Sequence, residues 1–289
     1  MAMRRVVVGV DGSDPSMAAV RWAAEDAAAR PVPLRLVHAE AALPGDRQAG
    51  ARGSLREEWV GDRIDTAWRE AARRHPDLEI SGGETTETAV KALLEAAQEG
   101  DLLVLGSRGI GAAAGFFTGS VALPVVAHAS VPTVLVREDW YPDTDRDLPV
   151  VVGVDPAHRC DPVLEFAFET AHRSGSPLRV LHMWRRSSVY AYPSALPDPK
   201  IGADLATEAR QKLDAALGTW QARYPGVPTE RELLDGEVAP RLLEQGAGAR
   251  LLVGGRRLHR HRRFPTLIGP VTHALMHHAI APVAVVPHE

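Results

Sequence analysis

Cysteine is nearly absent: Cys160 is the single one among 289 residues. That count excludes an intrachain disulfide and any site built from several thiolates. It suits a reducing cytosol, and a cytoplasmic location is expected. A large excess of charge of one sign is also lacking. The net formal charge of −4 is too small to indicate a polyanionic partner by itself. Long apolar runs are missing as well. MAMRR leads straight into VVVGVDGSD, an apolar run too short for a secretory leader or a membrane span. No membrane partner is expected. Finally, the chain lacks any GK[ST] triplet. This removes the P-loop, whose lysine and hydroxyl follow its last glycine.

What is present is a repeat. RRVVVGVDGSD at 4–14 matches LPVVVGVDPAH at 148–158, and LRLVHAE at 34–40 matches LRVLHMW at 178–184. DLLVLGSRG at 101–109 matches RLLVGGRRL at 250–258, and SVPTVLVR at 130–137 matches IAPVAVVP at 280–287. The order is the same in both halves, which indicates a tandem duplication. Domains are expected over 1–137 and 149–289. Residues 138–148 form an acidic, proline-flanked linker of the kind that stays solvated.

Within the first half, short apolar runs alternate with helical patterns. VVVGV, LRLVHA, LEIS, LLVLG and PTVLV read as strands. SMAAVRWAAEDAAAR reads as a helix capped by Ser13 or Asp14, with Pro15 in its first turn. Residues 54–75 read as a second helix with Leu55, Trp59, Ile64 and Trp68 on one face. AVKALLEAAQ and SVALPVVAHA complete the set. Alternation of this kind predicts an α/β fold, a parallel sheet covered by helices on both faces. Such sheets bind ligands beyond the carboxyl ends of their strands, where strand order reverses. Asp11, Ala39 and Gly106 would gather there.

GSRGIGAAAGFFTGSVA, residues 106–122, holds five glycines. Glycine is costly to order, so such a run implies unusual dihedrals or a close neighbour. Gly109 to Ala114 spells GIGAAA and satisfies the dinucleotide fingerprint, but it follows the fourth strand instead of the first. The spacing Gly106-x2-Gly109-x9-Gly119-Ser120 is longer and more specific. Gly106 and Gly109 would turn the backbone off strand four. Gly119 and Ser120 would open the fourth helix, whose free N–H groups suit phosphate.

On these residues, with VGVDGS and LVHA, the chain resembles a tandem universal stress protein of the ATP-binding class. The resemblance implies two tandem doubly wound domains, each a five-stranded parallel sheet in the order 3-2-1-4-5. It implies ATP, with magnesium, as cofactor, and a regulator in stress adaptation that responds to the nucleotide. Asp11, beside Gly9 and Val10, and the backbone of Ala39 would hold adenine and ribose. Leu105 and Val121 would line the site. Gly106, Arg108, Gly109, Gly119 and Ser120 would hold phosphate. In the family, the last strands pair between domains or subunits, so a homodimer and an unknown regulatory protein partner are expected. Catalytic residues are not expected; Arg108 and Asp11 are the weak candidates for a slow ATPase, the alternative reading. A third is an interaction protein that uses no nucleotide.

The second half departs from this pattern. Leu258 stands for Gly109, Pro270 for Ser120 and Pro156 for Gly12. Asp155, Met183, Gly255 and Gly269 remain as a reduced set. Proline at a helix start removes an N–H, and here a hydroxyl is lost with it. The loop RRLHRHRRF, 256–264, could neutralise phosphate through side chains, but it belongs to no nucleic-acid-binding module. Asp11 could equally cap its own turn. His38 and His182 recur at one position and read as buried, hydrogen-bonded residues. His273 and His277 form an i, i+4 pair without a neighbouring carboxylate or cysteine, so no metal site is expected from the protein alone.

Overall fold

The computed structural model describes residues 5–39, 53–107, 120–142, 147–184, 199–258 and 268–289. The chain falls into two compact units, Met1–Asp143 and Thr144–Glu289.

In the first unit, β1 (Val6–Gly9), β2 (Leu34–Ala39), β3 (Ile80–Thr85), β4 (Leu102–Ser107) and β5 (Thr133–Arg137) make a parallel sheet in the order β3-β2-β1-β4-β5. Helices α1 (Asp14–Ala29), α2 (Gly53–Arg74), α3 (Ala89–Gln98) and α4 (Ala122–His128) cross between them. Val6, Val7 and Val8 have no exposed surface. This is why β1 reads as an unbroken apolar run: a central parallel strand is covered on both faces.

Helix α1 starts where the sequence puts it. Ser13 is the N-cap, its hydroxyl accepts from the Ser16 N–H at 3.4 Å, and a proline sits in the first turn. Its buried face is built from Ala18, Ala19, Ala23, Ala24 and Ala27. Small side chains let the helix lie close on the sheet. The closeness is greatest at Gly106, where a Cβ would fall 2.5 Å from the Pro15 carbonyl carbon.

Three local expectations are corrected. Helix α2 buries Ala67 and Ala71, while Trp68 is 47% exposed; close contact with the sheet favours the small residues of that turn. Strand β3 does not stop with LEIS but runs on through Gly82 and Gly83 to Thr85. Its register with β2 continues from Leu34↔Ile80 to Ala39↔Thr85, and a Cβ at Gly82 would lie 2.8 Å from Ile64 Cγ2. Helix α4 opens at Ala122, not at Gly119 and Ser120. Pro124 explains this: a helix begun earlier would ask it for an N–H it lacks.

The second unit repeats the plan. Its strands are β6 (Val150–Gly153), β7 (Leu178–Trp184), β8 (Thr229–Asp235), β9 (Leu251–Arg257) and β10 (Val283–His288), in the order β8-β7-β6-β9-β10. Helices α5 (Asp161–Ser174), α6 (Pro199–Arg223), α7 (Val238–Gly246) and α8 (Pro270–His278) connect them. Pairing of β6 with β7 starts at Val150↔Leu178, as β1 with β2 starts at Val6↔Leu34. Proline opens α8 with Gly269 as its N-cap, a comfortable first position. Among the described residues, no helix is long and apolar enough to cross a membrane.

Candidate nucleotide cavity and its second copy

Strand β1 lies between β2 and β4, so the chain leaves it in opposite directions along the sheet. Such a switch point opens a crevice at the carboxyl ends. A cavity of about 500 Å³ lies there, lined by Gly9, Val10, Asp11, Val37, Ala39, Leu105, Gly106, Ser120 and Val121, among others. Four distant sequence segments thus meet at one place. Arg108, Gly109 and Gly119 lie outside the described residues.

At the cavity floor, Gly9 leaves room for leucine side chains to pack against the strand. A Cβ on Gly9 would lie 2.9 Å from Leu105 Cδ2 and 3.1 Å from Leu93 Cδ2. Leu93 and Ala89, both from α3, also line the cavity. No motif in the sequence pointed to α3. The recurrence of a leucine at the matching turn, Leu93 and Leu242, was the available signal. Ser13, Pro15 and Ser16 complete the α1 side.

His38 is buried and its Nδ1 lies 2.6 Å from the Val10 carbonyl oxygen. The ring therefore donates to the segment that presents Asp11. His182 makes the same bond to Val154, at 3.1 Å. Both histidines hold the exit of a first strand. Asp11 itself is exposed, and its Oδ1 accepts from the Ser13 N–H at 2.9 Å and from the Ser13 hydroxyl at 2.5 Å. Turn formation and a place in the cavity wall are thus combined in one carboxylate. Gly12 follows at φ +78°, with Arg63 of α2 packed 3.1 Å from where its Cβ would be.

The second unit has a matching cavity of about 460 Å³. Gly153, Asp155, Met183, Gly255 and Gly269 line it. Its polar groups differ. Asp155 accepts from the Ala157 N–H at 3.1 Å and contacts His158 Nδ1 at 2.8 Å, with Arg257 at 3.9 Å. Gly255 does not meet a helix backbone as Gly106 does. It meets the His288 ring, whose Nε2 would lie 2.5 Å from an added Cβ. Leu258 is exposed, and its N–H donates to the His288 carbonyl at 2.7 Å. His259, Arg260, His261, Arg262 and Arg263 lie outside the described residues. Cys160 is buried beside this cavity, and burial pushes its thiol above the usual range, which disfavours the reactive thiolate.

The Universal stress protein family matches residues 3–137 and again 148–287. The chain belongs to that family. It is 33% identical to universal stress protein Rv1996 of Mycobacterium tuberculosis, over 97% of this chain and 94% of the relative. A universal stress protein of Archaeoglobus fulgidus shares the fold, with TM-score 0.72, 16% identity and complete coverage of both chains. A universal stress protein solved in complex with cAMP aligns with 48% of this chain and all of its own, at 27% identity and TM-score 0.37.

Helix α8 carries His273 and His277, with ring centroids 4.2 Å apart. Among the described residues, no group of three His, Cys, Asp or Glu is placed to hold a metal ion. Burial, then His273 and His278, hold His277 below the ordinary histidine value. Burial does the same for His288, against its bonds to the Arg159 and Glu289 carbonyls. Folding therefore favours the neutral rings. Stability from them is complete above the ordinary pKa of 6.5 and is lost as pH falls through the lower folded values. Acidification from about pH 7.5 to about 5 is expected to loosen α8 and β10. Peptide-resolved hydrogen exchange checks this, and His277→Asn should reduce the loss. Equal protection at both pH values would refute it.

Proposed function

We propose that the first unit binds ATP, with magnesium, and that the protein acts as a nucleotide-responsive regulator in stress adaptation. One observation carries the reading: a cavity at the switch point of the sheet is lined by Gly9, Val10, Asp11, Ala39, Leu105, Gly106, Ser120 and Val121. Its size falls within the range of small-molecule sites. Asp11 and the Ala39 backbone would take adenine and ribose between Leu105 and Val121. Gly106, Arg108, Gly109, Gly119 and Ser120 would take the phosphates. Magnesium would arrive on the triphosphate, since the described residues offer no ligand cluster of their own.

The test uses the full chain. Protein purified without added nucleotide is denatured, and the released ligand is identified by mass spectrometry. Calorimetry with ATP then follows on the stripped protein. Adenine nucleotide in the first experiment, or saturable heat in the second that Asp11→Ala weakens, supports the reading. No released nucleotide together with no binding heat sinks it.

A further inference from the structure

Each unit ends its strand order on an outer strand, β3 in the first and β8 in the second. Among the described residues, no strand pairs with the far side of either. An open edge is a template for another strand unless charge, proline or a bulge blocks it. Strand β8 reads TERELLD, and its charges are tied to their own unit. Arg231 meets Asp214 at 3.1 Å, and Arg179 meets Glu230 at 3.4 Å and Glu232 at 3.6 Å. Strand β3 reads ISGGET, with one charged residue and no proline. We propose that β3 pairs antiparallel with β3 of a second copy of this chain, and that Trp68 of each copy covers the seam. This involves neither cavity and does not rest on nucleotide binding.

The register follows from the backbone. The Leu34 N–H donates to the Glu79 carbonyl at 2.9 Å, so Glu79 faces β2. Backbone groups of successive strand residues point to alternate sides. Ser81, Gly83 and Thr85 then face β2 as well, while Ile80, Gly82 and Glu84 present their N–H and C=O groups outward. Pairing centred on Gly82 uses all three. Gly82 lies opposite its twin, and Ile80 lies opposite Glu84 on both sides of the centre. Each such pair exchanges two hydrogen bonds, about six in all. Ser81 falls opposite Gly83, and Glu79 opposite Thr85, so no like charges meet.

Strand β8 fails the same test. The Leu178 N–H donates to the Pro228 carbonyl at 2.8 Å, so Thr229, Arg231, Leu233 and Asp235 face outward. Pairing that uses all four centres on Glu232 and sets that carboxylate against its twin, an unfavourable placement. The sequence of β3 is complementary to itself, and that of β8 is not.

Helix α2 fixes where Trp68 stands. Arg63 packs against Gly12, at the exit of β1, and Ile64 rests on Gly82 of β3. Ala67 and Ala71, between them around the helix, are buried. Each residue turns the helix by about 100°, so these positions sweep from the β1 side across to β3. Trp68 comes next, about 40° beyond Ile64, and overhangs the outer edge of β3. It is exposed for that reason. Asp65 on the same flank pairs with Arg69 at 3.6 Å, which leaves the flank near neutral. A two-fold axis through the paired Gly82 residues, perpendicular to the sheet, brings both α2 helices to one face. The two tryptophans then meet above the new strand pair, the kind of buried aromatic centre that interfaces favour.

Sedimentation velocity of the full chain, from low micromolar to submillimolar concentration, is expected to show a reversible monomer–dimer equilibrium. Trp68→Lys should weaken the dimer roughly tenfold or more. Glu84→Pro removes an outward N–H but none that bonds to β2, and should weaken it too. Glu84→Ala keeps that N–H and should leave the dimer unchanged. Amide hydrogen exchange locates the contact: Ile80, Gly82 and Glu84 should gain protection as concentration rises. The Leu34 amide, bonded to Glu79, reports whether each variant keeps its fold. A chain that stays monomeric at the highest concentration overturns the proposal. So does a dimer that survives both Trp68→Lys and Glu84→Pro, because another surface would then hold it together.

Discussion

Gly106→Ala is expected to lower the unfolding temperature of the first unit by on the order of 10 °C. The added methyl would lie 2.5 Å from the Pro15 carbonyl carbon and 2.6 Å from the Pro15 oxygen and the Ser16 nitrogen. All three are backbone atoms in the first turn of α1, so no side chain can swing aside. Either α1 lifts from β4 or the strand bends. Overpacking of this kind costs about 3 kcal/mol at the upper end of the usual range. Two controls sharpen the test. Gly83→Ala meets nothing within 4 Å and should be nearly silent. Gly255→Ala meets the His288 imidazole, the end of a side chain, and should cost less than Gly106→Ala. Scanning calorimetry with unit-resolved hydrogen exchange measures all three. An unchanged midpoint for Gly106→Ala would mean that α1 does not rest on β4 as described.

Titration of the stripped chain with ATP is expected to show one tight site. Gly119→Val should abolish it, and Asp155→Ala should leave it nearly unchanged. The second cavity has Pro270 in the place of Ser120 and Leu258 in the place of Gly109. An N–H, a hydroxyl and a side-chain-free turn are lost together. One missing hydrogen bond to a charged group costs about 1.5–3 kcal/mol, which is roughly tenfold to a hundredfold in affinity. Residual ATP binding in the second unit should then be carried by phosphoryl contacts with arginine. Two sites of equal affinity would show that Arg256 and Arg257 fully replace glycine-loop amides, and the expected asymmetry would be wrong.

Much of the fold was legible in the sequence because its central strands are buried on both faces and so read as plain apolar runs. VVVGV and its copy at 150–154 needed no further signal. The N-cap at Ser13 was legible because a side-chain oxygen and a following proline act locally. What stayed hidden depends on distance across the fold. Trp68 points outward because Ala67 and Ala71 allow a closer approach to the sheet, which periodicity alone does not weigh. Gly82 and Gly83 lie inside β3 because Ile64 comes down onto Gly82. The start of α4 turned on the position of Pro124 within the helix. The site was legible where a motif marked it, at Asp11, Gly106 and Ser120. It was not legible at Ala89 and Leu93, which reach it from a helix with no motif. Nor could sequence reveal that Gly255 faces His288, since those residues meet only through the pairing of β9 with β10.

The matched register of β1 with β2 and of β6 with β7 has a further consequence. A dimer made from two identical chains must present the same cavity twice, because a two-fold axis copies every substitution to both sides. Here the two sheets belong to one polypeptide and are encoded separately. A change from serine to proline, or from a serine after the glycine to an arginine, alters one side and leaves its twin as it was. Fusion has released the pair from symmetry while fixing their ratio at one to one. A cell making this chain cannot vary the supply of one cavity against the other, however strongly it induces synthesis.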